Sequence, residues 1–367
     1  MKIRYVGVMV VFCFSFRCFS FLGYAQQDAA PAQPAAPGQS AATAARGATG
    51  RRISLDVVVN DKSGKAVSGL HEQDFTILDD KRPQPIASFH ANEGTGGADE
   101  VAVQVIFLVD AVNTSFRGVG LERQFLDQFL RQNGGQLPAP TSLVLLTDTS
   151  EGQTEVTRDG KKLADDLQSK ESGLRFLNRS QGFYGGENRV QISLSALGGL
   201  ATDEATKPGR KLLIWLSPGW PLLSGPGVEL SKKDQEGLFG DVVRLSTDLR
   251  EARITLYTID PLGVDDAGGF RTFYYKTFLK GVTSANKVQS GNLGLQVLAT
   301  QTGGRVLNSS NDIAKSIASC LEDAKASYKL SFDSAPADNP NEYHNLEVKI
   351  DKTGLTARTR TGYYAQR

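Results

Sequence analysis

Asp110 is the residue whose type and position best suit chemistry. It directly follows an unbroken apolar run, residues 105–109, which is typical of a strand buried on both faces of a parallel sheet. A polar segment, residues 111–118, comes next and precedes an amphipathic helix. Ligands of open α/β sheets bind just beyond the carboxyl ends of such strands. We therefore expect any functional site to include the Asp110 carboxylate.

A second set of residues indicates binding. Three long loops follow predicted strands, at residues 110–118, 217–231 and 260–292, so they should gather on one rim of the sheet. Aromatic side chains without matching charge are enriched in protein interfaces; the alternative is that the rings pack within their own loops. The aromatic residues that we predict as an interaction rim are Phe116, Trp220, Phe270, Phe273, Tyr274 and Tyr275.

Strands and helices alternate through the middle of the chain, where these residues lie. Apolar runs predict buried strands at 104–110, 142–147, 211–216 and 253–259, with an edge strand at 303–307. Between them, apolar residues at helical spacing predict helices over 121–130, 159–172, 188–201, 238–249, 293–300 and 313–324. This alternation predicts an α/β domain with a doubly wound, mainly parallel sheet over residues 101–327.

Both ends of the folded region show a different pattern. Residues 51–92 and residues 328–367 contain short alternating runs separated by turn-forming residues, which predicts strands without helices. Neither set of strands buries enough apolar surface to be stable alone. We therefore predict that the two ends pair into one small β-sandwich, with the α/β domain inserted in it.

The amino terminus predicts export. A positive start, an apolar stretch over residues 6–22 and small residues at 23–25 are the three parts of a secretory signal peptide, which we predict for residues 1–25. Arg17 interrupts the apolar stretch, which argues against an uncleaved membrane anchor. Residues 26–50, rich in Ala and Pro, predict a disordered linker. The expected location is the periplasm, the cell envelope or the exterior, with no transmembrane segment after cleavage.

Charge and cysteine content limit which partners and which disulfides are possible. The chain has 41 Lys plus Arg and 40 Asp plus Glu, so it offers no basic field for nucleic acid. Two of the three cysteines lie in the predicted signal peptide, so the remaining Cys320 has no partner for an intramolecular disulfide. Cys320 lies on the apolar face of a predicted helix and is expected in the core. The expected partner is another protein.

A buried strand, Asp110, a polar loop and a helix follow one another, and residues 216–219 and 302–306 come later. This order resembles the von Willebrand factor type A domain. Through five stretches, residues 57–61, 74–80, 108–114, 302–305 and 361–364, the whole chain after the linker is similar to the VWFA-related domain of secreted acidobacterial proteins. The resemblance implies an adhesion or scaffolding module whose metal site, when intact, binds a divalent cation.

The resemblance also implies which residues would hold the cation. Such a site uses Asp-x-Ser-x-Ser after the first strand, a Thr from another loop and an Asp after the fourth strand; oxygen donors of this kind suit Mg²⁺ or Mn²⁺. Asp110 and Thr114 match, Val112 replaces the middle Ser, Ser217 replaces the second Asp, and Asn113 offers a substitute oxygen. We predict a degenerate site that binds metal weakly or not at all, with the carboxylate capping the following turn instead. The candidate ligands are Asp110, Asn113, Thr114 and Ser217.

The enzymatic alternatives each lack a residue. Phosphatases of the haloacid dehalogenase type carry Asp-x-Asp-x-Thr, which Asp110 and Thr114 match, but Val112 stands where the acid/base Asp belongs. Ser217 is not a nucleophile elbow, because the leading Gly is missing and Pro218 has no N–H to donate. The histidines fall in the predicted β-sandwich, where we expect surface positions: His71, His90 and His344.

The sequence thus predicts an exported protein–protein interaction or adhesion module that is not an enzyme. The alternative function is an envelope hydrolase of the phosphatase type that uses Asp110.

Overall fold

The structure is a computed structural model that describes residues 52–92, 103–148, 151–169, 183–221, 230–262 and 274–365. The predicted signal peptide and linker lie outside the described residues, as do Phe270 and Phe273. No helix among the described residues is long and apolar enough to cross a membrane.

Strands and helices alternate through the middle of the chain, and strands alone occupy both ends. The strands are β1 (Arg52–Asn60), β2 (Phe75–Asp79), β3 (Arg82–Gln84), β4 (Ser88–Asn92), β5 (Gln104–Asp110), β6 (Gln136–Leu146), β7 (Glu151–Gln153), β8 (Thr157–Asp159), β9 (Lys211–Leu216), β10 (Ile254–Ile259), β11 (Val306–Leu307), β12 (Ser327–Asp333), β13 (Glu342–Ile350), β14 (Thr356–Arg358) and β15 (Gly362–Ala365). The helices are α1 (Phe116–Leu130), α2 (Gly160–Ser169), α3 (Phe183–Ala205), α4 (Lys232–Glu251), α5 (Leu295–Gln301) and α6 (Ile313–Lys325).

The largest sheet is mixed and mostly parallel. Its strand order is β11-β10-β9-β5-β6-β7, with β8 also paired to β6. All neighbours are parallel except β7 and β8, which run antiparallel to β6. The apolar runs of β5, β9 and β10 are buried along their length, as expected for strands covered on both faces.

Helices cover both faces of this sheet. Because side chains alternate along β5, Ile106 and Leu108 face one apolar layer while Phe107 and Val109 face the other. Helices α3, α4 and α5 pack on the first face, and α1, α2 and α6 pack on the second. The predicted α/β domain with a mainly parallel sheet is therefore observed.

The chain ends form two further sheets, both antiparallel. Strand β1 lies between β14 and β12, and β12 in turn pairs with β4; the second sheet has the order β15-β13-β2-β3. The two sheets share one apolar cluster. Strands β1, β2, β12 and β13 contribute to it, with Leu55, Ile77, Leu330 and Val348 respectively. Arg52 pairs with Asp333, 281 residues later. The first and last parts of the folded region thus depend on each other for a core.

A buried ionic cluster joins the sandwich to the α/β layers. Asp323 of α6 is fully buried and accepts hydrogen bonds from Tyr257 of β10 and from Arg358 of β14. Arg305 forms an ion pair with the same carboxylate at 3.5 Å. Burial alone would raise the pKa of Asp323, but the positive charges of Arg358 and Arg305 outweigh it, and the pKa is lowered.

Some element boundaries differ from those predicted. The strand predicted at 142–147 is the longer β6, and β7 and β8, which add a short antiparallel edge, were not predicted. The helix predicted at 293–300 is divided, because Gly294 has an extended backbone (φ −64°, ψ 142°) between a 3-10 turn at Ser290–Leu293 and α5. Cys320 is buried in the core, as predicted.

Candidate functional site

Asp110 ends β5, and Ser217 directly follows β9. The two strands are parallel neighbours with Val109 beside Leu216, so both residues lie at the same edge of the sheet. The chain passes from β5 to β6 on one side, whereas β9 lies on the other. The crevice between β5 and β9 is therefore the switch point at which open α/β sheets bind ligands.

Four N–H groups of the described residues donate hydrogen bonds to the Asp110 carboxylate. Oδ1 accepts from the backbone N–H groups of Val112 and Asn113, at 3.0 and 2.9 Å. Oδ2 accepts from Asn113 Nδ2 and from Trp215 Nε1, both at 2.9 Å. Asp110 is also fully buried. The carboxylate therefore caps its own loop and ties β5 to the neighbouring strand.

The residues after Asp110 are held from several directions. Asn113 Nδ2 also donates to Ser193 Oγ of α3 at 2.8 Å, and the Val112 side chain is buried in the apolar layer that contains α3. Asn113 Oδ1 and the Thr114 hydroxyl are buried without a hydrogen-bond partner in the part of the chain that the structure describes. The loop is thus fixed by packing and by hydrogen bonds around Asp110.

A divalent cation fits this set of residues poorly. Mg²⁺ needs several lone pairs that converge on one point, but N–H donors are directed at both oxygens of Asp110. Ser217 Oγ accepts the backbone N–H of Gly219 at 3.1 Å, and Val112 supplies no oxygen at the place of the middle Ser. The degenerate Mg²⁺ or Mn²⁺ site stays a prediction.

Glu122 is a buried acid beside this loop that the sequence analysis missed. It lies on α1 and is fully buried; burial and, second, the negative charge of Asp110 raise its pKa well above the usual value. The nearby Thr114 hydroxyl partly offsets this shift, although neither Glu122 oxygen has a hydrogen bond of normal geometry among the described residues. Helical spacing could have revealed it, because Glu122 lies three residues after buried Val119 and four before buried Leu126.

The predicted interaction rim is only partly a surface. Phe116 is 71% exposed and Tyr274 is 40% exposed, while Tyr275 is half-buried. Trp220 is 6% exposed and packs edge-on against Trp215, with ring centroids 5.4 Å apart. The prediction of Trp220 as a rim residue is therefore wrong: Gly219, at φ +106°, turns the chain so that the indole packs over the sheet.

One histidine is also placed differently from the expectation. His71 and His90 are exposed, as predicted, but His344 is buried and its Nδ1 lies 3.0 Å from Asp79 Oδ1. Along β13 it shares the inward face with Leu346 and Val348, two and four residues later, so strand periodicity explains the burial.

Comparisons with known proteins give little further information. Neither the family models nor the curated protein sequences include a match to this chain. Among solved structures, it is similar to the pilus adhesin SpaC of Lactobacillus rhamnosus GG, with 8% sequence identity and a TM-score of 0.35. The matched region covers 82% of this chain and 49% of the adhesin. The chain thus spans about half of the adhesin's length, and a likeness this distant does not indicate a shared function.

Proposed function

We propose that this chain is an exported, non-catalytic protein–protein interaction module with a von Willebrand factor type A-like domain, and that its partner binds beside the Asp110 loop. The observation that carries the proposal is the contrast between two residues of one segment. Asp110 is buried and hydrogen-bonded at both oxygens, whereas Phe116, six positions later, is 71% exposed.

The sheet topology supports the type A-like domain. Numbered by their order in the chain and leaving out β8, the strands lie in the order 3-2-1-4-5-6, which is a common order in doubly wound α/β folds. The first turn of α1 lies against the loop after β10, since a Cβ on Gly118 would be 3.9 Å from Pro261 Cγ. Loops that follow different strands thus meet beside Phe116, as an interaction rim requires.

The state of Asp110 argues against the phosphatase alternative. A nucleophilic carboxylate must present an oxygen to its substrate, but each Asp110 oxygen accepts two hydrogen bonds and is shielded from solvent. Val112, at the position of the acid/base residue, is apolar and buried. The side chains of this loop support a structural role that shapes the binding surface.

Site-specific photo-cross-linking tests the proposal. A benzophenone amino acid replaces Phe116, and in a second variant it replaces Val156, which is also exposed (45%) but lies in the edge formed by β7 and β8. Both variants are produced in the cells that naturally make the protein and are irradiated there. We expect one defined protein adduct from position 116 and none from position 156.

Competition separates a specific partner from chance encounters. Excess wild-type protein without the benzophenone amino acid should suppress the adduct. The same excess of the Phe116→Ser variant should not suppress it, provided that the thermal melt of the variant equals that of the wild type. Equal adducts from both positions, or no adduct from position 116, would contradict the proposal.

A further inference from the structure

The turn between β2 and β3 brings three metal-ligating side chains together in the sandwich, away from Asp110. The potential ligand atoms of Asp79, Asp80 and His344 all lie within 4.8 Å of one another. One oxygen from each carboxylate faces the same imidazole nitrogen: His344 Nδ1 is 3.0 Å from Asp79 Oδ1 and 3.7 Å from Asp80 Oδ2. We propose that these residues form a binding site for a divalent transition-metal ion of the Zn²⁺ type.

The local sequence explains why the two carboxylates converge. Asp79 ends β2, and Asp80 and Lys81 both have positive φ, 47° and 67°, which is the backbone of the tightest hairpin turns. The Asp80 N–H donates to Asn345 O at 2.9 Å, so the turn is fastened to β13. Successive strand residues would point to opposite faces, but the turn directs Asp80 back towards His344.

The second oxygen of each carboxylate is held by a protein donor. Tyr363 OH donates to Asp79 Oδ2 at 2.9 Å, and the Asn345 N–H donates to Asp80 Oδ1 at 3.0 Å. These donors leave Asp79 Oδ1 and Asp80 Oδ2 to face His344 Nδ1, from which Asp79 Oδ2 also lies 3.3 Å away. Donors that orient the ligands in this way are a regular feature of protein metal sites.

The imidazole is oriented as well. The His344 ring stacks on the Tyr363 ring with centroids 4.9 Å apart. His344 Nε2 is buried without a hydrogen-bond partner among the described residues. Nε2 lacks a partner both when it carries the proton of the neutral ring and when it does not. Its lack of a partner therefore favours neither the metal-bound nor the metal-free ring.

Charge and spacing select the class of ion. Asp79 is buried, and the ionisable cation that pairs with it among the described residues is the His344 ring. Either a second proton on that ring or a metal ion in its place balances the buried carboxylate. Ligands of a tetrahedral Zn²⁺ lie about 3.3 Å from each other, which is within the range of 3.0 to 3.7 Å over which the carboxylate oxygens lie from Nδ1. Imidazole nitrogen suits Zn²⁺ better than Mg²⁺, Ca²⁺ or Mn²⁺.

Access and proton balance are compatible with binding. The Asp80 side chain is 53% exposed, so the ion would enter from that side and complete its coordination with water. The ion takes the place of the proton on His344 Nδ1, and the neutral ring then carries its proton on Nε2. Because protons and metal compete for the ligands, affinity should fall as the pH is lowered.

Calorimetric titration of the full chain with ZnCl₂, after removal of metal with a chelator, tests the site. Asp80→Asn keeps an oxygen for the Asn345 N–H but removes the carboxylate, so we expect Zn²⁺ binding at least about tenfold weaker. Tyr363→Phe keeps the stacked ring but removes the donor to Asp79, so we expect a loss of about 10–100-fold. Glu347→Gln, at an exposed position of the same strand, is the control and should bind as the wild type does.

Two outcomes would overturn the proposal. One is a wild-type protein that binds no Zn²⁺. The other is unchanged affinity in Asp80→Asn, which would place the ion elsewhere, for example on the cysteines near the amino terminus. Thermal melts in chelator establish that each variant is folded before its titration is interpreted.

Discussion

The indole Nε1 of Trp215 donates a hydrogen bond of 2.9 Å to Oδ2 of Asp110, 105 residues earlier in the chain. Both residues are buried, and they lie on adjacent strands of the sheet. The carboxylate at the carboxyl end of β5 is therefore held by hydrogen bonds from its own sheet and loop. This relationship, more than the loop sequence alone, makes Asp110 a structural residue.

Asp110→Ala should destabilise the fold in the same way with and without metal. It leaves the buried donors of Trp215 and Asn113 without an acceptor, and each unsatisfied donor costs about 1–3 kcal/mol. We expect the free energy of unfolding in urea to fall by about 2–5 kcal/mol, in millimolar Mg²⁺ and in chelator alike. Asp148→Ala, beyond the end of β6, is the control and should change it by less than about 0.5 kcal/mol. A wild-type stabilisation by Mg²⁺ that Asp110→Ala loses would instead indicate a cation site.

Glu122→Gln should make stability less dependent on pH. The pKa of Glu122 is raised in the folded protein, so the folded state binds this proton more tightly than the unfolded state, where the pKa is about 4.3. The contribution of Glu122 to the free energy of unfolding should therefore be highest below that value and decrease, by up to about 1.4 kcal/mol per pH unit, as the pH rises towards the folded pKa. The neutral amide of Glu122→Gln does not titrate, so the variant does not lose this stability as the pH rises.

The measurement is a series of urea unfolding curves between pH 4 and pH 8. The difference in stability between Glu122→Gln and the wild type should grow in favour of the variant as the pH rises. Glu236→Gln, an exposed position on α4, should follow the wild-type curve. A constant difference across the series would mean that Glu122 titrates alike in both states.

Asp323→Asn should weaken the junction between the sandwich and the α/β layers. Removing one partner of a buried ion pair leaves the other charge uncompensated and costs about 3–5 kcal/mol; here Arg358 and Arg305 would lose their carboxylate. Because the pKa of Asp323 is lowered on folding, its contribution is present above about pH 3.9 and is lost as the pH falls through the folded pKa. Glu322→Gln, which loses only the partly exposed pair with Lys325, should cost less than about 1 kcal/mol. Denaturant unfolding distinguishes the two variants.

Cys320 should resist alkylation in the folded protein. Burial raises the pKa of its thiol to about 12, and the thiolate is the reactive form. We expect peptide mapping by mass spectrometry to show little modification by iodoacetamide at pH 8 and complete modification in denaturant. Rapid labelling of the native protein would mean that α6 opens from the sheet.

The main elements could be predicted because they satisfy a local rule. Strands β5, β9 and β10 are buried on both faces, so each is a continuous apolar run that the sequence shows directly. The strands at the two ends alternate, and their need for a shared core predicted that they would pair. Short edge strands such as β7 and β8 carry no such pattern, because each is only three residues long.

The environment of the candidate site could be predicted only in part. The sequence indicated that Asp110 would lie at the edge of the sheet, but the bond from Trp215 depends on strand order and register, which no local pattern encodes. The loop position of Trp220 and the position of His344 in the predicted β-sandwich indicated the surface, but a turn at Gly219 and the inward alternation of β13 bury them. Glu122 is different, because its helical position between buried Val119 and buried Leu126 was sufficient to predict its burial.

The pairing of Arg52 with Asp333 has a consequence for folding order. Strand β1 leaves the ribosome among the first parts of the folded region, yet its neighbours β12 and β14 are among the last. Contacts this distant in sequence close slowly, and β1 stays an open, aggregation-prone edge until synthesis is nearly complete. The α/β layers, whose strands and helices are close in sequence, have time to form first. The inserted domain would then act as a folding platform that brings the two halves of the sandwich together.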